Sequence, residues 1–510
     1  MFSPSSRRRF LQTVGVGTAA LGLADLPFVS RLPRVSADEA RLNPQLVRLD
    51  DSIEPLVRLL EETPRDRLLE AVAERIHAGT SYQEVLAALM LAGVRNVQPR
   101  PSVGFKFHSV LVVNSAHLAS LAGPDEERWL PIFWALDYFK STQLEEERKT
   151  GWKLRPVDEN RVPSATKARQ AFVDAMQRWD VEAADAAVAG LARSAGSHEV
   201  VELFYRFGGR DYRSIGHKAI YVANSWRTLQ CIGWQHAEPV LRSLAYALLN
   251  HEGEPNPADN DLSPDQPWRH NQELAKTIRP DWLEGKSDEA ATRDLLTTLR
   301  TGSPSDAADQ AAELLNRGIA PDSVWDAVFV GSGELLMRQP GIIGLHTLTT
   351  ANAMRYAFGA SADDETRRLL LLQNCAFVPK FRESAQSRGR ISDTTINDLE
   401  PRTPDGKSAA EKLDEIFAEA SGDRRLAAAK IRGYLAEGGD PHALIDTARR
   451  LVFRKGNDAH DYKFSSAVLE DYAHVSSPYR DLFLAMSVFN LPGSRDRDNQ
   501  LVERTQAALA

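Results

Sequence analysis

Four times along the chain a histidine stands at the start of an apolar, helix-forming run. The stretches are "FHSVLVVNSAHLASL" from Phe107, "GHKAIYVANSWRTL" from Gly216, "LHTLTTANAMRYAF" from Leu345 and "NDAHDYKFSSAVLEDY" from Asn457. Ahead of each lies an amphipathic run that stops at a glycine: Gly79, Gly196, Gly318 and Gly438. Glycine takes the left-handed conformation that closes a helix. A residue that can open a helix follows within a few positions, namely Ser81, Ser197, Pro321 and Pro441. Another apolar run comes after each histidine helix, from Glu127, His236, Glu365 and Pro478.

The pattern predicts an all-α chain of about four divergent repeats, each a unit of roughly four helices, packed into one compact helical domain. The histidines lie 109, 129 and 114 residues apart, far longer than a solenoid period. The strand-like strings "SVLVVN" and "AIYVAN" continue with helical spacing. Stretches rich in Pro, Gly and acidic residues at 143–162, 252–268 and 383–408 read as loops. The expected organisation is therefore a leader over 1–37, repeats one and two over 38–252, a linker or loop insertion over 253–292, and repeats three and four over 293–510.

The leader expectation rests on "SRRRFLQTVGVGTAALGLADLPFVSRLPRVSA", where Arg7, Arg8 and Arg9 precede a weakly apolar stretch from Thr13 to Leu23. It resembles a twin-arginine export signal, with a small-residue processing point after Ala37 or Ala24. The protein is then expected to meet the twin-arginine export machinery and to end up in the periplasm or otherwise exported. Its formal charge of -8 leaves no basic footprint for nucleic acid. No apolar run is long enough to predict an integral membrane span in the mature chain. Only Cys231 and Cys375 occur, so there is no disulfide framework, and either one bridge or two separate thiols fits.

On a helix, residues six and seven positions after a histidine return close to its face. These positions hold Asn114 and Ser115, Ala223 and Asn224, Asn352 and Ala353, Ser466 and Ala467. Small side chains leave room for a neighbour or a ligand, and the amides add hydrogen-bonding capacity. We therefore take His108, His217, His346 and His460 as candidate metal ligands, and Asn114, Asn224, Asn352 and Lys463 as candidate cofactor-binding residues. Imidazole suits iron, copper, zinc and manganese; iron or copper is favoured for a redox role. Histidines that merely fix helix packing, or that do acid-base work singly, are the competing accounts. No catalytic residue is assigned.

Other polar residues on these helices are Lys106, Lys218, Arg227 and Arg355, expected at solvated edges, and Tyr221, Trp226, Tyr356 and Tyr462 could wall an apolar cavity. His117 falls on the opposite face from His108, and His77, His198 and His442 sit at hairpin turns. Glu238 and Arg242 have the spacing of an i,i+4 ion pair. Standard signatures are missing: "HEGEP" at His251 is no HExxH, "VGSGEL" from Val330 is no nucleophile elbow, and the mature chain carries no nucleotide fingerprint.

The stretches "GLHTLTTANAMRYAF" from Gly344 and "NDAHDYKFSSAVLEDY" from Asn457 resemble the histidine-bearing helices of the questin oxidase-like family. The likeness is strongest over 339–375 and 457–475 and weaker over 216–250. That resemblance implies an all-helical oxidoreductase; the family's named fungal activity is an oxygen-dependent, Baeyer–Villiger-type ring opening of an anthraquinone. It marks His217, His346 and His460 as recurring positions, and His108 joins them by internal likeness. This chain departs from the family in its export signal and long inter-repeat loops. The expected function is thus an exported oxidoreductase, metal- and oxygen-dependent, acting on an apolar or aromatic small-molecule substrate. The alternative is a non-catalytic helical binding or scaffold protein of the cell envelope with structural histidines.

Overall fold

Each histidine helix is wedged between the helix before it and the helix after it. The histidine helices are Phe105–Ala122, His217–Ile232, Ile342–Ala360 and Ala459–Asp471. Their preceding partners are Tyr82–Asn96, Ser197–Gly208, Pro321–Arg338 and Pro441–Lys455, and their following partners are Trp129–Lys149, Ala237–Leu248, Asp364–Gln386 and Ser477–Ser487. The computed structural model describes residues 52–509 apart from 101–104, 124 and 252, and these belong to one compact unit. Among them are 22 α-helices and no β-strand, only an isolated backbone bridge between Lys286 and Ile319. The export-signal expectation falls outside the described residues.

The local signals act as their chemistry predicts. Gly79, Gly318 and Gly438 close their helices with φ of 104°, 88° and 80°, whereas Gly196 is an extended N-cap with φ of -67°. Ser81 caps the helix before His108 in a reciprocal pair with Glu84. Asp440 and Asp458 cap the two helices around the last hairpin. The histidine helices begin zero to four residues before their histidines.

The four histidine helices close a ring. The His217 helix packs on those of His108 and His346, and the His460 helix packs on the same two. These helices are buried on nearly every side, with Val112, Ile220, Leu348 and Phe464 among the buried residues. Each such aliphatic or aromatic side chain contributes about 1.5–3 kcal/mol on burial. No helix among the described residues is long and apolar enough to cross a membrane.

Three stretches read as loops are partly helical. Residues 143–149 continue the helix Trp129–Lys149, because Gln143 pairs with Glu147 at 3.2 Å and Glu145 with Lys149 one turn apart. Within 253–292, Gln266–Ala275 is a helix with Pro267 in its first turn and Asn271 bonded to Gln373 at 2.7 Å. Residues 383–386 finish the helix Asp364–Gln386, and Ile396 anchors a short 3-10 turn farther on.

Candidate metal centre

The four histidines expected from sequence to share a site are brought together. His217 and His346 are bridged by their Nε2 atoms at 3.1 Å, and His108 Nε2 lies 2.8 Å from His217 Nε2. Ring centroids of neighbouring pairs are 4.9 Å for His108 and His217, 4.5 Å for His217 and His346, 5.2 Å for His346 and His460, and 4.4 Å for His460 and His108. Across the ring His108 and His346 are 6.4 Å apart. The imidazoles thus follow the order of the helix ring. Ligand atoms of His108, His346 and His460 lie within 4.8 Å of one another, a group that could hold a metal ion.

Hydrogen bonding on the far side of each ring decides what faces inward. His217 Nδ1 donates to Ser214 O at 2.5 Å, and His346 Nδ1 donates to Ile342 O at 2.6 Å. With those protons spent on carbonyls, both neutral rings turn a bare lone pair inward at Nε2. Two lone pairs at 3.1 Å have no proton between them unless one ring is charged. Burial opposes that: it brings His217 down to about 4 and pushes His108 and His346 well below the usual histidine range. His460 Nδ1 lies 3.3 Å from the Asp458 carboxylate, while its Nε2 is buried with no hydrogen-bond partner. A neutral His108 with its proton on Nε2 donates to His217 Nε2 at 2.8 Å, but His346 Nε2 and His460 Nε2 then have no donor, and a cation would satisfy all four nitrogens together. The backing of His217 and His346 by carbonyls and of His460 by a carboxylate matches the outer shell of metal-bound histidines.

The two contacts of His217 Nε2, with His108 and His346, have the spacing found around a single ion. Bonds of about 2.0–2.1 Å put adjacent ligand nitrogens about 2.9 Å apart in a square arrangement and about 3.4 Å apart in a tetrahedron. The observed 2.8 and 3.1 Å lie nearer the square. The cavity bounded by these rings with Leu111, Val112, Ile220, Leu345, Thr349, Ala459 and Lys463 has a volume of about 10 Å³, the space of one water-sized particle.

His217 is delivered by an unusual turn. Ser214, Ile215 and Gly216 have φ of 58°, 45° and 82° in succession, a left-handed run that costs energy at the two non-glycine positions. It swings Ser214 O back onto the His217 ring. At Gly216 a side chain is opposed for a second reason: its Cβ would stand 1.9 Å from Thr350 Oγ1 on the His346 helix, so Thr350 would have to shift. The close approach of two ligand-bearing helices depends on that glycine.

Three of the four expected cofactor-binding residues form one network behind the cavity. Lys463 Nζ lies 3.4 Å from Asn224 Oδ1 and 3.3 Å from Asn352 Oδ1. Asn224 donates to Leu111 O at 2.7 Å, and Asn352 donates to Glu470 at 2.8 Å and to Asp471 at 2.9 Å. Burial drops Lys463 to about 7 and pushes Asp471 far above the carboxylate range. Burial also pulls Glu470 upward, but Arg227, 3.0 Å away, holds it below. Asn114 is buried apart from this network, and neither end of its amide has a hydrogen-bond partner.

Several expectations are corrected. Lys218 and Arg227 are not solvated edges: Lys218 pairs with the fully buried Asp211 at 2.9 Å in the core, and Arg227 pairs with Glu470 at 3.0 Å. Arg355 lies over Trp325 and Phe358. The tyrosines are committed to packing: Tyr221 bonds Ser243, Tyr356 carries the Arg227 guanidinium on its ring, and Tyr462 stacks on Trp134. Glu238 and Arg242 do not pair, because Arg193 and Asp185 offer each a bidentate partner. His117 does turn away, toward the Tyr82 hydroxyl at 2.9 Å, and His77, His198 and His442 are exposed. Cys231 and Cys375 are both free thiols. Asp458 was not singled out from sequence, although a carboxylate two residues before a ligand histidine at a helix start was there to be seen.

Comparison with known proteins returned no family model, no curated protein and no solved structure that matches this chain, so the questin oxidase-like resemblance stands on its histidine-helix residues alone.

Proposed function

We propose that the protein is a metal-dependent oxidoreductase, exported in folded form, in which His108, His217, His346 and His460 hold one iron or copper ion through Nε2. The observation that carries this is the pair of bare Nε2 lone pairs of His217 and His346 at 3.1 Å, each made bare by a carbonyl on the other side of its ring. Imidazole nitrogens suit iron, copper, zinc and nickel, and no thiolate stands among the four. Neutral ligands bring no charge to offset the ion in a low-dielectric core, and Lys463 adds none of the needed sign. Such surroundings favour the lower of two oxidation states. A redox-active ion held there is an electron acceptor, which agrees with the oxidative chemistry that the family resemblance implies.

The apolar or aromatic substrate would have to part the walls formed by Leu111, Ile220 and Leu345, since the cavity is ion-sized. That same small volume favours a second account, a non-catalytic envelope protein in which the four histidines hold an ion for stability. One preparation distinguishes them. Protein purified through its own export route is analysed for metal and then tested for oxygen uptake with a panel of quinones and phenols. About one equivalent of iron or copper with substrate-dependent oxygen uptake supports the oxidoreductase. One equivalent of zinc with no uptake supports the structural ion, and absence of metal in both native and reconstituted protein defeats the centre itself.

A further inference from the structure

An aromatic stack joins the helix that carries His460 to a surface cleft. Tyr462, two residues beyond His460 on the same helix, stacks on Trp134 with centroids 4.5 Å apart at 30°. Trp134 in turn stacks on Tyr138 at 5.0 Å and 17°. Tyr462 and Trp134 are buried, and Trp134 and Tyr138 form one wall of a cleft of about 410 Å³. The segment 457–462 touches both ends of this path: Asn457 lines the cleft, and Asp458 faces the His460 ring at 3.3 Å. Asp458 is also near enough to act on the Tyr138 phenol, which burial above all, and this carboxylate next, push upward.

We propose that Tyr462, Trp134 and Tyr138 form an electron-transfer path between the histidine centre and the cleft, with Trp134 and Tyr138 as the residues that give up an electron to an oxidised centre. This rests on the metal reading above. Tyr462 lies about 200° round the helix from His460, so the link from the centre to the stack runs through the helix backbone between them. Indole and phenol are among the side chains most readily oxidised by one electron, and stacked rings in van der Waals contact couple well. A stack made only for packing has no need to end on a cleft that solvent reaches. The cleft also carries Arg65, Arg497 and Arg504 against Asp137 and Asp498, a net positive lining suited to an anionic one-electron donor such as an enediolate.

With hydrogen peroxide as the oxidant the step balances. Peroxide takes two electrons and two protons to give two waters. One electron comes from the reduced ion and one from Tyr138 through Trp134; the Tyr138 phenol releases one of the protons and a solvent water supplies the other, which leaves one hydroxide, so the net products are one water and one hydroxide. The enediolate in the cleft then returns an electron and a proton to Tyr138.

The test uses the full chain loaded with ferrous or cuprous ion and treated with hydrogen peroxide in the absence of organic substrate. Freeze-quenched samples are read by electron paramagnetic resonance and then mapped for oxidised peptides. The expected result is a tyrosyl or tryptophanyl radical, with oxidation products at Tyr138 and Trp134 that ascorbate prevents. Trp134→Phe should lose most of the Tyr138 product while holding the same metal, and the milder Tyr138→Phe should shift the product to Trp134. Oxidation confined to the histidines, or equal Tyr138 product in wild type and Trp134→Phe, would overturn the path and leave the metal centre standing. Protein that takes up no ion overturns both, and metal analysis of the same sample separates the two failures.

Discussion

His217 and Lys218 are neighbours at the start of one helix, yet they enter interiors of opposite kinds. Lys218 joins a buried charge network in which every partner is supplied: its ammonium meets Asp211 at 2.9 Å and Leu248 O at 3.0 Å. Arg213 grips Asp265 with two bonds of 2.7 Å and Glu254 with one of 2.6 Å. Nothing more is required there, and such a network is structural. His217 joins a cluster of buried nitrogens in which one proton, on His108 Nε2, serves a single contact and leaves His346 Nε2 and His460 Nε2 without a donor. A polar cluster that closes on itself holds a fold together, whereas one that stops a cation short is built to receive something.

The largest expected effect sharpens that contrast. Replacing His217 and His346 together by alanine should take bound metal from about one equivalent to none, with helical content by circular dichroism retained because the Lys218 network is untouched. Metal retained at the wild-type level would break the distinction. Next in size is Arg213→Met, which leaves Asp265 buried without its bidentate partner and should cost about 3–5 kcal/mol in chemical denaturation. The metal stoichiometry of the folded fraction should not change; if it drops, the two clusters are one.

Acid should act through the histidines. His217 has an ordinary value of 6.5 and a folded one of about 4, so the unfolded chain binds the extra proton between them. The metal-free protein should hold its stability above pH 6.5 and lose about 3 kcal/mol as pH falls toward 4, from this group alone. Bound metal should move that loss to lower pH, and melting curves across the range would show it. Asp458→Asn should keep the helix cap but weaken metal affinity about 10- to 100-fold, read by competition with a chelator. Smallest is Gly216→Ala, expected to destabilise by about 1–2 kcal/mol through strain and the clash with Thr350. Adding Thr350→Ala should recover the steric part only.

The helices and their histidines were legible because their signals are local. A glycine that closes a helix, a serine or aspartate that caps one and a period of apolar residues each act within a few positions. Convergence of the four rings was a hypothesis, since likeness between segments says nothing of how they pack. The turn before His217 had one visible sign, Gly216; nothing marks Ser214 or Ile215 as left-handed, and only the pull of two packed helices holds them there. Local spacing misled where tertiary partners compete: Glu238 and Arg242 fit the i,i+4 pattern, but Arg193 and Asp185 offered better geometry. The helix Gln266–Ala275 was hidden by its Pro- and Asp-rich approach, and it forms because Trp268 and Asn271 find a buried surface on a helix a hundred residues away.

The ligands reach one point from sites 109, 129 and 114 positions apart in the sequence. An ion gripped by all four would act as a four-armed clasp on the chain, closing three long loops at once, and the entropy of such closures grows only slowly with their length. A cut in the exposed segment just after Gln386 would then leave two fragments that still travel together, the first contributing three fingers to the grip and the second one. A chelator added after the cut should let them part, and gel filtration would register the separation.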